Sequence, residues 1–193
     1  MDQYFSDVEV PGGGSVSEYI EKTYPEAYRL FLAPADDGHY PRVIESIRPG
    51  VSLTTLEQSA NADYLGVLRP KLSRQCKLGA LLKALSYHGR PYDYDFNFVT
   101  DNELVCSELV YKSYKSDSDR EGIDFELITM SGRQMIPPNL MVRKFDEEYG
   151  TDKAQLDFVL FMDGNEEMGK AVRRDVDAFR ESWKRPKWSA MQD

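Results

Sequence analysis

Histidine is nearly missing from this chain. His39 and His88 are the only two among 193 residues, so any chemistry that needs an imidazole has two candidates within the chain. Cysteine is as scarce. Neither the number nor the spacing of Cys76 and Cys106 suggests a disulfide framework or a metal site, so a reducing, cytoplasmic compartment is the default expectation. Positive charge is in deficit: 24 Lys+Arg against 33 Asp+Glu leave a net charge of -9. That argues against nucleic acid or an anionic membrane as the main partner, because both need a concentrated positive footprint. No apolar run approaches the roughly 20 residues that span a bilayer. The acidic, glycine-broken start MDQYFSDVEVPGGG is not a signal peptide. The PGGG at 11–14 follows no strand and reads as a turn, not a phosphate loop. No His/Cys/Asp cluster has metal-ligand spacing, so neither metal nor cofactor is expected.

What is present is ordinary for a globular protein. Hydrophobic residues make up 41% and charged residues 30%, and the length suits one domain with a core, or one domain plus an appendage. Ser15 or Ser17 reads as an N-cap, with Tyr19, Ile20 and Tyr24 at helical spacing behind it. Pro25 to Leu32 is a second helix. Arg42 to Ile47 alternates like a strand, with Val43, Glu45 and Ile47 on one face and Ile44 on the other. Asp63 to Pro70 is a second strand. Ser73 to His88 is a helix with Ser73 as N-cap and Gly89 as C-cap. A loop, PYDYDF, leads to the helix CSELVYKSY. Leu156 to Met162 is a late strand, and Asn165 caps a last helix whose stripe is Met168, Val172, Val176, Phe179 and Trp183. The expected class is α+β. The expected organisation is a helical insertion or lead-in over 1–38, a core over 39–164, and a C-terminal amphipathic helix and tail over 165–193.

The chemistry gathers at Cys106, where an aromatic, acidic loop turns into a helix. A thiol at a helix N-terminus meets unpaired N–H groups and the positive end of the dipole, and both favour thiolate. Such a thiol can act as a nucleophile, usually with a histidine to carry the proton. A free cysteine is also an ordinary small core residue, and position alone leaves both readings open. Tyr92, Asp93 and Tyr94 in the preceding loop either line a cleft and position a substrate, or pack beneath the helix. Phe96 and Phe98 read as packing.

GRPYDYDFNF followed by ELVCSELVYKSY resembles the permuted papain-like cysteine hydrolases, the YiiX-like branch related to NlpC-type peptidases and lecithin retinol acyltransferase. That branch carries a G-x-PYD-x-x-F segment ahead of a CSELV helix. RVIESIRPGVSLTTLE resembles its V-I-E-A strand segment, and YLGVLRP its following V-x-R strand. The similarity runs from Arg42 to Tyr114, with weaker agreement to Gly164. The resemblance implies a permuted papain-like core, Cys106 as nucleophile and Glu45 as the carboxylate that orients a histidine. It implies acyl-group hydrolysis of a small-molecule, peptide or lipid-linked substrate through a thioester. The alternative is an inactive binding or scaffold domain.

The family histidine sits in an S-H-x-x-I-Y segment before the glutamate strand, and no such segment occurs here. His39, in the turn PADDGHYPRV, is the candidate within the chain. His88 lies at a helix end and reads as structural. Residues 1–5, MDQYF, read like the interior of a helix, which sets the expectation that the family's opening part lies before Met1.

Overall fold

The computed structural model describes residues 1–130, 132–165 and 169–185. In chain order its elements begin with α1 (Val16–Thr23), α2 (Pro25–Leu32), β1 (Val43–Ile47), β2 (Gly50–Thr54), α3 (Leu56–Ser59), β3 (Leu65–Pro70) and α4 (Arg74–Leu85). There follow α5 (Cys106–Tyr114), β4 (Ile128–Met130), β5 (Arg133–Met135), α6 (Pro138–Glu148), β6 (Leu156–Asn165), β7 (Lys170–Arg174) and α7 (Val176–Ser182). Helices mix with small antiparallel sheets, β1-β2, β3-β6-β7 and β4-β5, which makes the class α+β. The chain divides into two compact units: Met1–Asn61 with Leu72–Ile136, and Ala62–Lys71 with the described residues from Pro137 onward.

In the first unit, Ser15 is the N-cap of α1. Its Oγ accepts from the Glu18 N–H at 3.2 Å, and Glu18 Oε2 accepts from the Ser15 N–H at 2.8 Å, a reciprocal box that satisfies two orphan donors. Val16, Ile20 and Ala27 then pack against Leu78 and Leu85 of α4, with Phe5, Val8 and Val10 at the edge. The first 38 residues therefore share a core with α4. Residues 1–8 are turns rather than helix, with the Phe5 N–H bonded to the Met1 carbonyl.

The sequence reading assigns no strand to residues 50–54, yet β2 pairs there with β1 through Ile44↔Leu53, Glu45↔Ser52 and Ser46↔Val51. Ile44, Ser46, Val51 and Leu53 share the inner face, as alternation requires. Val51 joins Ala84, Tyr87, Leu104 and Leu109 in a second core cluster. That cluster seats α5 against the hairpin.

The second unit is built on β6, which pairs with β3 on one side and β7 on the other. Phe179 of α7 is its centre, with ring centroids 5.3–5.6 Å from Phe145, Phe158 and Phe161. Gly66 of β3 gives that ring its room, since a Cβ there would lie 2.6 Å from the Phe179 ring. The expected last helix is corrected here. Residues 170–174 are a strand, Asn165 ends β6, and α7 starts after Asp175, whose carboxylate accepts from the Ala178 N–H at 2.9 Å. Val172 sits opposite Asp163 in the β6–β7 ladder, so pairing with β6 overrides a helical stripe too short to set its own period. Met168 lies outside the described residues.

Asp163 is buried and meets Arg185 in a two-pronged pair at 2.6 and 2.7 Å. The Arg185 guanidinium holds this carboxyl below its ordinary value of 3.8. A lowered folded-state value means that the pair's contribution is complete above 3.8 and is lost as pH falls through the lower folded value. Asp163→Asn is therefore expected to melt below the wild type at neutral pH, and the gap is expected to close as pH drops below about 4. Calorimetry at several pH values checks this, and a gap that stays constant contradicts it.

Candidate active site

Cys106 is the first residue of α5 and is exposed. Val105 precedes it as N-cap in extended conformation, φ -88 and ψ 168, and makes no side-chain cap. Its side chain lies in the core at 1% exposure. With no cap, the N–H groups of Cys106, Ser107 and Glu108 find no acceptor among the described residues. They are donors at the helix end that favours negative charge.

The backbone leading to Cys106 is fastened to the hairpin by a relay of short pairings. Gly89 and Arg90 exchange hydrogen bonds with Val51, and the Tyr92 N–H donates to the Pro49 carbonyl. The Leu104 N–H then donates to the Pro91 carbonyl, and the Asp93 N–H to the Leu104 carbonyl. Gly50 permits the first step, because a Cβ there would lie 2.1 Å from the Arg90 carbonyl oxygen. From β1, the buried Ser46 Oγ donates to the same Leu104 carbonyl at 2.5 Å.

The loop between the two pairings is organised by Asp93. At 1% exposure, this carboxylate accepts the Asp95 N–H at 2.7 Å and the Asn97 N–H at 2.5 Å. Between those two amides Phe96 takes a left-handed φ of 53, a conformation that a bulky residue rarely adopts unheld. Its ring meets Tyr92 edge to face at 6.4 Å, and Tyr94 meets Tyr92 at 5.1 Å. Tyr94 and Phe96 are exposed, at 64% and 44%. Burial first, and then Cys106, pushes the Tyr92 phenol up. Phe98 packs inward, with its ring 6.2 Å from Tyr111. Phe96 departs from the packing role that the sequence reading assigns it, because the turn around Asp93 faces it outward. Asp93 is buried under the loop, so its carboxylate shapes the aromatic rim.

Glu45 and His39 lie elsewhere in their bonding. Glu45 is on the outer face of the hairpin, where its Oε1 accepts from Thr54 Oγ1 at 2.6 Å and Ser59 Oγ at 2.8 Å. His39 Nδ1 is 3.2 Å from Glu57 Oε1, both side chains half exposed. Among the described residues no hydrogen bond or ion pair joins Cys106 to His39, His88 or Glu45, nor His39 to Glu45. Tyr94 belongs to the same rim through its ring contact with Tyr92.

Sequence reasoning missed one cluster. Lys112 reaches back one turn to Glu108, with Nζ 2.9 Å from Oε1, and also grips Asp101 and the Thr100 carbonyl. The i,i+4 spacing of Glu108 and Lys112 was the signal. Their burial was not readable. No group of three or more His, Cys, Asp and Glu among the described residues could hold a metal ion. No helix of the described residues is long and apolar enough to cross a membrane.

A family model described as "Permuted papain-like amidase enzyme, YaeF/YiiX, C92 family" matches residues 17–152. That span holds Cys106, Glu45, His39 and the aromatic loop. No curated protein and no solved structure matches the chain.

Proposed function

The chain belongs to the permuted papain-like amidase family of the YaeF/YiiX kind, and from that premise we propose that it is a cysteine amidase with Cys106 as its nucleophile. The observation that carries the reading is an exposed thiol on an uncapped helix start with free N–H groups around it. The thiolate attacks the carbonyl carbon of an amide or ester. The electron pair moves to the carbonyl oxygen, where the Cys106 N–H and its neighbours are the available donors. The C–N or C–O bond then breaks, the leaving group departs with a proton, and a thioester remains on Sγ. Water cleaves the thioester and restores the thiol.

The substrate reaches Sγ past Tyr92, Tyr94 and Phe96, so the reading assigns these rings to the apolar part of a peptide or lipid-linked acyl substrate. Asp93 is the residue that holds the rim. His39 and Glu45 join the reading as base and orienting carboxylate if His39 leaves Glu57 during turnover.

The test is an adduct. The chain is incubated with an activated aryl ester and digested, and the Cys106 and Cys76 peptides are weighed. An acyl group on Cys106 alone supports the reading. No adduct, or equal labelling of both thiols, removes it. A second reading, an inactive domain that keeps the cleft, is favoured by the missing histidine contact at Cys106. Turnover separates the cases: hydrolysis by the chain that Cys106→Ala abolishes removes the second reading, and no hydrolysis above background supports it. His39→Ala then tests the base. A fall of roughly a hundredfold or more in turnover puts the base at His39, and an unchanged rate removes His39 and Glu45 from the site.

A further inference from the structure

Glu108 is the third residue of α5 and is completely buried. Its Oε2 accepts the Val105 N–H at 3.2 Å, and its Oε1 lies 2.9 Å from Lys112 Nζ. Lys112 is partly buried, with a side chain 9% exposed. Burial pushes the Glu108 carboxyl up, and Lys112 pulls against it. Burial works against the Lys112 ammonium, but Asp101 and Glu108 outweigh it and raise the group.

The arrangement looks self-defeating until the two charges are taken together. A carboxylate two residues from the thiol opposes thiolate formation, since a like charge disfavours the ionised form. Yet that same carboxylate is what satisfies the Val105 N–H and locks the helix start. Lys112 removes the conflict by cancelling the charge in place, and its remaining protons tie down the Thr100–Asp101 turn that leads to Cys106. We infer that Glu108 and Lys112 are positioning residues for Cys106, an ion pair that fixes the start of α5 while balancing the carboxylate that stands two residues from the thiol. The inference rests on Cys106 being the nucleophile.

Other ionisable groups face this pair. Asp93 acts on Glu108 from the aromatic loop. Tyr87 bonds Asp101, Arg90 donates to the Asp101 carbonyl, and Lys83 acts on Asp101 from α4. Cys106 itself acts on Tyr92. Of these, Asp101 alone bonds Lys112 directly, so it is the group that Lys112→Met disturbs.

The experiment is the rate of iodoacetamide alkylation of Cys106 against pH in the full chain, read by mass spectrometry with Cys76 as internal control. Glu108→Gln keeps an oxygen for the Val105 N–H and removes one of the two carboxylates around Lys112, leaving Asp101 as its partner. Its midpoint is expected to move to lower pH, with alkylation at neutral pH faster by at least about threefold. Glu108→Gln combined with Lys112→Met returns the cluster of Glu108, Asp101 and Lys112 to its wild-type net charge, and its midpoint is expected to return towards the wild type. A purely structural role predicts the reverse order, with two substitutions disturbing the site more than one. Should Glu108→Gln fail to fold, as judged by circular dichroism, Asp101→Asn takes its place. That side chain is 51% exposed, and losing its charge is expected to move the midpoint in the same direction. A midpoint that stays or rises in the single variant overturns the inference, as does a double variant further from wild type than the single. Failure of the nucleophile reading shows separately, as full hydrolysis retained by Cys106→Ala whatever the midpoints do.

Discussion

Cys106→Ala is expected to lower hydrolysis of an aryl ester or amide by at least about a thousandfold, the scale seen when a covalent nucleophile is removed. The same substitution is expected to leave the melting temperature almost unchanged. Cys106 is exposed, so its sulfur contributes little to the core, and alanine is the better helix former. The separation of the two effects is the point of the variant. Loss of turnover without loss of fold isolates the chemistry at Sγ. Turnover that survives Cys106→Ala, measured against a Cys76→Ala control, would sink the cysteine mechanism.

Asp93→Ala is the second large effect, and here stability and activity fall together. The buried carboxylate accepts two backbone N–H groups, at 2.7 and 2.5 Å, and its removal leaves both without a partner. A cost of about 3 kcal/mol follows from losing charge-assisted bonds at a buried site. The same bonds hold Phe96 at a φ of 53, so the rim of Tyr92, Tyr94 and Phe96 loosens with them. KM for substrates with an apolar acyl group is expected to rise more than for small polar ones. Asp93→Asn keeps one acceptor and is expected to fall between wild type and alanine in denaturant unfolding. If Asn and Ala unfold alike, with a loss too small to resolve, the carboxylate does not hold the loop.

What could be read from the sequence was local. Ser15 before an apolar run and Cys106 at the join of a loop and a helix are signals carried within a few residues, and each stands where the reading places it. Gly89 does not cap its helix: α4 ends at Leu85 with Ser86 as C-cap, and Gly89 takes its left-handed φ of 84 in the turn beyond. The faces of β1 were legible for the same reason, because alternation needs only five residues. The family was legible because GRPYDYDFNF and CSELV are specific strings. The relay from Val51 through Arg90 and Pro91 to Leu104 was not legible, since it depends on which distant backbones meet. The burial of Asp93 was hidden in the same way, for a loop aspartate looks alike in sequence whether it faces water or two amides. The C-terminal segment failed on period: of the five residues in the expected stripe, Val172 went to a ladder with β6, while Val176 and Phe179 stayed on a shorter helix. The Glu57 partner of His39 comes from α3, a four-residue helix with no periodic signal.

Val105 sets a limit on how this protein can be improved. Threonine has nearly the shape of valine and is a good N-cap, so Val105→Thr would fill the same core space and cap α5 for a gain of about 1 kcal/mol. Selection for heat resistance would therefore be drawn to that codon. Its hydroxyl would take one of the N–H groups that the proposed mechanism assigns to the oxyanion, so on that mechanism the more robust protein is expected to be the slower one. Under the proposed mechanism, the apolar side chain at the head of α5 leaves its N–H groups to the substrate and forgoes the stability a cap would add.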